Sequence, residues 1–344
     1  MATATSTDSC DLEQLTIHGL HALVFGFGYK VGIVDFFLKT QEPCTAEDIS
    51  QGLGLKLRYV QEWLGTMAAI RIVKVHEDGK FSLPYEPGTI KFCGVVAKCL
   101  QALGEVWPEL EKAVTGTGPQ GYGYTPKILQ LVDEFAVVKL QKEWFQKLLY
   151  PVLELKAEGM HTVLDLGCGS GRITRHLATM YPKCSIHGVD VDQGSIDRAK
   201  RELISSGLTN VQYSCIDGGK LPREWTEKFD FVFLISVLHD ACDVDAILDE
   251  VKRVLKHDGY CAATDPGVSS NTKDLIDDSI AMFHMPFSLF SCLPRSLMES
   301  SSVGYGVGWG YQRKKTAIEN HGFHVVQVGD IDVNTVQERV VFTK

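Results

Sequence analysis

Residues 162–178, TVLDLGCGSGRITRHLA, pass from an apolar run through glycines at 167, 169 and 171 into a stretch with apolar residues at helical spacing. A buried strand that turns at once into a helix is one unit of a parallel sheet, because parallel strands need a crossover to return to the same edge. The glycines permit a tight turn and close approach of a ligand to the backbone, and the helix aims its first amides at whatever binds there. Beyond this unit CSIHGVDVD, NVQYSCID, KFDFVFLISVLHDA and YCAATD repeat the pattern of strand followed by helix or loop. Residues 161–344 therefore read as an α/β, Rossmann-like domain.

The same residues narrow the ligand. A dinucleotide loop has the spacing G-x-G-x-x-G, whereas here the spacing is G-x-G-x-G, Arg172 follows, and Asp165 lies two residues before the first glycine. An acid there repels a pyrophosphate. S-adenosylmethionine carries no phosphate; its ammonium suits Asp165 and its carboxylate suits the helix N-terminus. Asp190 ends the second strand 19 residues beyond Gly171, about where an acid accepts both ribose hydroxyls. Asp217 and Gly218, after the third strand, are placed to meet the adenine amino group.

The fourth strand, FVFLISVLHDAC, is an apolar run after a polar turn at 227–230, and it delivers His239 and Asp240 at its carboxyl end. That edge of an open α/β sheet is where ligands bind. From Pro266 to Val307 run 42 residues with no sheet role. So long a connection is expected to cap an acceptor pocket, with His284, Met285, Cys292 and Trp309 as lining candidates.

In front of this domain the chain reads as helix, helix, helix and hairpin. Thr45 is an N-cap with Asp48 in a capping-box position, and KLRYVQEWLGTMAAI buries one stripe of Leu57, Val60, Trp63, Leu64, Met67 and Ala68. Two short strands flank Asp78-Gly79. This is a winged helix over residues 1–90, expected to dimerise or to cover the substrate. Its DNA-reading alternative would use Lys56 and Arg58, yet the segment holds 7 Lys plus Arg against 11 Asp plus Glu. Residues 91–160 read as a helical linker with a flexible lid, TGTGPQGYGYTP, whose Tyr122 and Tyr124 are further pocket candidates.

Composition excludes other classes. A net charge of −9 with no long basic run disfavours nucleic acid as a partner. Ten cysteines with no C-x-x-C pair and no zinc spacing read as reduced thiols of a cytoplasmic protein, with no metal expected. The apolar stretch Leu20 to Leu38 is interrupted by His21, Lys30, Asp35 and three glycines, so it reads as a buried helix rather than a membrane span.

Taken in order, VLDLGCGSG, GVDVD, CIDG and KFDFVFLISVLHDA resemble the class I S-adenosylmethionine-dependent methyltransferases. With the winged helix in front, the whole chain is similar to two-domain small-molecule methyltransferases and, more distantly, to the plant phenolic O-methyltransferases. The resemblance implies a seven-stranded sheet closed by an antiparallel hairpin, here FHVVQVGDI and ERVVFTK. It maps Asp165, Gly167, Gly169, Gly171, Asp190, Asp217 and Gly218 onto cofactor positions, with Val191, Ile235 and Ser236 in the same set. In the phenolic enzymes the histidine of a His-Asp pair deprotonates the acceptor hydroxyl, and His239 and Asp240 match that pair, although Ala241 stands where those enzymes usually carry tryptophan. An unperturbed imidazole, with a pKa of ~6.5, is largely free to take a proton at neutral pH. The resulting expectation is a homodimeric enzyme that methylates a hydroxyl or thiol of a small molecule. The alternatives are N-methylation of a small amine and a cofactor-binding winged-helix regulator.

Overall fold

The computed structural model describes residues 11–139, 161–330 and 337–344. The chain divides into two compact units, Met1–Glu105 and Val106–Lys344. The part of the expected linker at 140–160 lies outside the described residues.

The first unit is a winged helix. Helices α1 (Leu12–Lys30), α2 (Ile33–Thr40), α3 (Ala46–Leu53) and α4 (Leu57–Ala69) precede strands β1 (Lys74–Val75) and β2 (Phe81–Ser82), and α5 (Pro87–Ala113) follows. The expected capping box is present: Thr45 Oγ1 accepts from the Asp48 amide and the Asp48 carboxylate accepts from the Thr45 amide. Val60, Trp63, Leu64 and Met67 turn one face of α4 into a core with Ile33, Val34, Phe37 and Ile49. β1 and β2 pair antiparallel across Asp78-Gly79, with Gly79 in the left-handed region that the turn requires.

One reading changes here. The stretch Leu20 to Leu38 is not one buried helix: Gly32, at φ 90°, separates α1 from α2, which bend by 65°. Leu12, Leu15, Leu20, Leu23 and Phe27 of α1 are each more than half exposed. No single helix among the described residues is long and apolar enough to cross a membrane, although the bent pair passes by length and composition. Arg58, a candidate DNA contact, is ion-paired with Glu62 one turn on.

The second unit is built on seven strands: β3 (Thr162–Leu166), β4 (Ser185–Asp190), β5 (Val211–Cys215), β6 (Phe229–Ile235), β7 (Leu255–Pro266), β8 (His324–Asp330) and β9 (Gln337–Thr343). Their order is β5-β4-β3-β6-β7-β9-β8. The first five run parallel and β9 is antiparallel to both β7 and β8. β6 is buried from end to end because both faces are covered. Val232 and Leu234 join the core beneath the helix Val244–Val254, while Phe231, Phe233 and Ile235 join the core on the other face. The expected polar turn ends sooner than the sequence indicated, since Asp230 lies inside β6, accepting from the Thr162 amide and from Lys256.

The sheet reverses direction of growth at β3, with β4 on one side and β6 on the other. The loops after β3 and β6 therefore open at the same crevice, the switch point where such sheets bind ligands.

Candidate active site

Between β3 and the helix Arg172–Met180, glycines 167, 169 and 171 have φ of 78°, 55° and 71°, values that side chains rarely adopt. Two have a packing reason as well. A Cβ at Gly167 would lie 2.5 Å from Val237, and one at Gly171 would lie 2.3 Å from the Tyr213 hydroxyl. Gly169 differs, for nothing lies within 4 Å of where its Cβ would be, leaving open space over the turn.

Asp190 organises this loop. Its Oδ2 accepts from the Gly169 amide at 2.8 Å and its Oδ1 from the Asp192 amide at 2.9 Å. Burial raises its carboxyl, while those two amides oppose the rise. Each oxygen keeps a second lone pair, and Val191 beside it is exposed, offering an apolar platform at the strand's end. Asp217, exposed beyond β5, accepts from the Gly219 amide at 3.0 Å, and Gly218 packs against Leu166, where a Cβ would come within 2.8 Å. Ile235 ends β6, buried; Ser236 follows at φ 57°, a strained conformation for a residue with a side chain, and donates its amide to Thr264 O at 2.7 Å.

Asp165 has a structural partner that the sequence did not indicate. It is buried, accepts from Thr174 Oγ1 at 2.6 Å, and so ties β3 to the following helix instead of facing open space. Burial pushes its carboxyl up to about 6, with the Thr174 bond opposing and the Asp190 charge adding.

His239 sits in the 3₁₀ turn Leu238–Asp240, four residues past the end of β6, and is 6% exposed. Both ring nitrogens face carboxylates: Nδ1 lies 2.5 Å from Asp265 Oδ1 and Nε2 lies 3.1 Å from Asp240 Oδ1. Burial lowers the imidazole's affinity for its proton. Asp240, Cys292 and Asp265 outweigh that effect and raise its pKa well above 6.5. The expectation of an unperturbed imidazole is thus corrected, because the two carboxylates beside the ring favour its protonated form.

A second layer lies behind it. Lys314, 2% exposed, places Nζ 3.5 Å from Asp265 Oδ2 and 3.2 Å from Glu338 Oε2. The Asp265 carboxyl is lowered overall despite burial, through Lys314 and His239. Asp265, Lys314 and Glu338 were all missed by sequence reasoning. Asp265 had a signal, being the acid at the carboxyl end of β7 on the same crevice edge. Lys314 had none, since the helix Gly310–Asn320 reads as polar and solvated.

The pocket candidates divide. Tyr124 donates its hydroxyl to Asp240 Oδ2, which brings it into the histidine cluster. Tyr122 instead anchors its loop, donating its hydroxyl to Phe290 O at 2.9 Å and its amide to Pro294 O at 3.2 Å. The presumed flexible lid is therefore docked on the 288–298 segment. Cys292 ends a single π-turn, Ser288–Cys292, beside His239 and Asp240. Met285 joins a small cluster with Val268, Ala281 and Val307, His284 packs edge-on against Phe283, and Trp309 meets Tyr305 edge to face. Cys292 thus joins the histidine cluster directly, and Tyr124 joins it through Asp240.

Residues 157–304 match the model of a methyltransferase domain, and residues 19–90 match that of the Rv2258c-like winged HTH domain. Among curated relatives, a malonyl-[acyl-carrier protein] O-methyltransferase of Acetivibrio thermocellus is 29% identical over 127 residues, covering 37% of this chain and 43% of that protein. A ubiquinone biosynthesis O-methyltransferase of Bartonella bacilliformis is 27% identical over 146 residues, or 41% and 54%. The chain thus spans about half the length of the curated relatives it matches. Solved structures match end to end. A putative O-methyltransferase of Nostoc punctiforme superimposes with a TM-score of 0.72 at 15% identity, over 98% of this chain and 100% of that one. Human N-acetylserotonin methyltransferase, solved with S-adenosylmethionine, gives 0.68 at 15%, over 100% and 99%. At that identity the likeness is one of fold.

Proposed function

We propose, from the match of residues 19–90 to a winged HTH model and of residues 157–304 to a methyltransferase model, that the protein transfers the methyl group of S-adenosylmethionine to a hydroxyl or thiol of a small molecule. The observation that carries the reading is a cofactor loop and a carboxylate-flanked histidine on one crevice edge. The loop suits the cofactor: Gly169 leaves open space, Asp190 retains lone pairs for the ribose hydroxyls, and Val191 offers a face for the adenine. When bound, the cofactor supplies a methyl group on a sulfonium, open to direct displacement. Gly167, Gly171 and Asp190 hold the loop's shape, and Asp217 and Gly218 flank the adenine end.

His239 supplies the base. Asp265 fixes Nδ1, so Nε2, once it has given up its own proton to solvent, is the nitrogen that takes the acceptor's proton. The resulting imidazolium is stabilised by both carboxylates. Most of the acceleration comes from alignment of the acceptor in a site shielded from water by the 266–307 segment and the docked tyrosine loop. The winged helix and residues 91–160 serve dimerisation and substrate covering, and the exposed apolar face of α1 supports a homodimer. The reading is of a cytoplasmic enzyme without a nucleic-acid partner.

Three outcomes follow. Asp190→Ala should weaken S-adenosylmethionine binding about ten- to a hundredfold by calorimetry on folded protein, since a charged hydrogen-bond partner is lost; unchanged affinity would remove Asp190 from the cofactor site. Because the His239 pKa is raised and the base must be unprotonated, kcat/KM should fall on the acid side with a midpoint above ~6.5. Asp240→Asn should move that midpoint down, and a wild-type limb at or below the ordinary histidine value would contradict the geometry. Leu23→Asp should shift the sedimentation coefficient from dimer to monomer; an unaltered dimer would acquit α1.

A further inference from the structure

We propose that Nε2 of His239, Oδ1 of Asp240 and Sγ of Cys292 form a binding site for one divalent cation of the zinc class. Their donor atoms all lie within 4.8 Å of one another, and Nε2 and Oδ1 are 3.1 Å apart. Zinc bonds of about 2.0–2.3 Å place neighbouring tetrahedral ligands roughly 3.2–3.8 Å apart, a spacing that the 3.1 Å between Nε2 and Oδ1 approaches. A mixed nitrogen, sulfur and oxygen set favours zinc over magnesium or calcium, which take oxygen alone.

Three independent features point the same way. A metal-bound histidine commonly donates its other ring N–H to a carboxylate, which fixes the tautomer with its lone pair toward the metal. Here Asp265 holds Nδ1 at 2.5 Å, and Lys314 holds Asp265. Asp240 Oδ1 is buried and accepts no hydrogen bond among the described residues, even though Nε2 is close by; its companion Oδ2 is fixed by Tyr124. Cys292 is delivered by the π-turn Ser288–Cys292, a widened turn of the kind that recurs at functional sites.

Three protein ligands leave a fourth position open to an exchangeable group. Binding displaces the Cys292 thiol proton and the proton on Nε2. Nε2 cannot bind the cation and take an acceptor proton together, so the cation is an inhibitor of methyl transfer. That consequence rests on the function proposed above, whereas the binding itself does not.

The test uses the full chain, stripped with a chelator and titrated with Zn²⁺ alone against a chromophoric competitor, in the absence of S-adenosylmethionine. One equivalent should bind, at least about a hundredfold more weakly in Cys292→Ser and in Asp240→Asn. Co²⁺ should give a thiolate-to-metal absorption band that Cys292→Ser abolishes, with circular dichroism confirming that each variant is folded. No stoichiometric uptake, or uptake and a cobalt band unchanged in Cys292→Ser, overturns the site. Absence of methyl transfer with or without Zn²⁺ would count against the proposed function and leave the binding result standing.

Discussion

Replacing His239 by alanine is expected to lower turnover by about 10²- to 10⁴-fold while leaving S-adenosylmethionine affinity nearly unchanged, because a general base acts in the transition state. Raising the pH should partly restore the rate, as ionisation in bulk solvent supplies the acceptor anion. The rescue should be greatest for a thiol, whose pKa of ~8.5 is already close. An amine acceptor would show a modest loss without such rescue. Stopped-time assays across pH with one identified acceptor make the comparison, and near-wild-type turnover of the variant at pH 7 would reduce His239 to a structural residue.

Lys314→Met should destabilise the fold by about 3–5 kcal/mol, the usual cost of leaving buried charges without their partner. Lys314 lies between Asp265 and Glu338 with almost no exposure, so its removal leaves two acids facing each other. A second substitution, Glu338→Gln, should return part of that loss, since one of the stranded charges is then gone. Denaturant unfolding of wild type and the two variants measures this, and a Lys314→Met protein as stable as wild type would show the ion pairs to be unimportant.

The sequence was most legible where a local rule has one physical solution. The glycine turn after β3 and the Asp78-Gly79 hairpin demand positive φ, and Thr45 with Asp48 demands a helix start; all three stand where expected. The continuous apolar run of β6 announced a strand covered on both faces, and the edge rule then placed His239 at the crevice. What the sequence hid depends on tertiary neighbours. Gly32 ends a helix only because the chain bends there, so a run of apolar residues looked like one buried element. The imidazole's raised pKa depends on Asp240 and Asp265 together, and Asp265 lies on the next strand, 26 residues further on. Lys314 shares a helix with charged residues that face solvent, and periodicity alone does not separate it from them. Tyr122 and Tyr124 are two residues apart, yet one holds a backbone carbonyl and the other the Asp240 carboxylate.

The central claim is that this crevice moves a methyl group from S-adenosylmethionine to an oxygen or sulfur acceptor. The most direct test supplies S-adenosylmethionine labelled in its methyl group together with pooled phenols, thiols and amines, and follows both label and S-adenosylhomocysteine by mass spectrometry. The account predicts one labelled O- or S-methyl product formed in equal amount to S-adenosylhomocysteine, and formed about 10²- to 10⁴-fold more slowly by His239→Ala at neutral pH. Label appearing only on amines, or salt-sensitive DNA binding by a protein that holds the cofactor without turning it over, would contradict it.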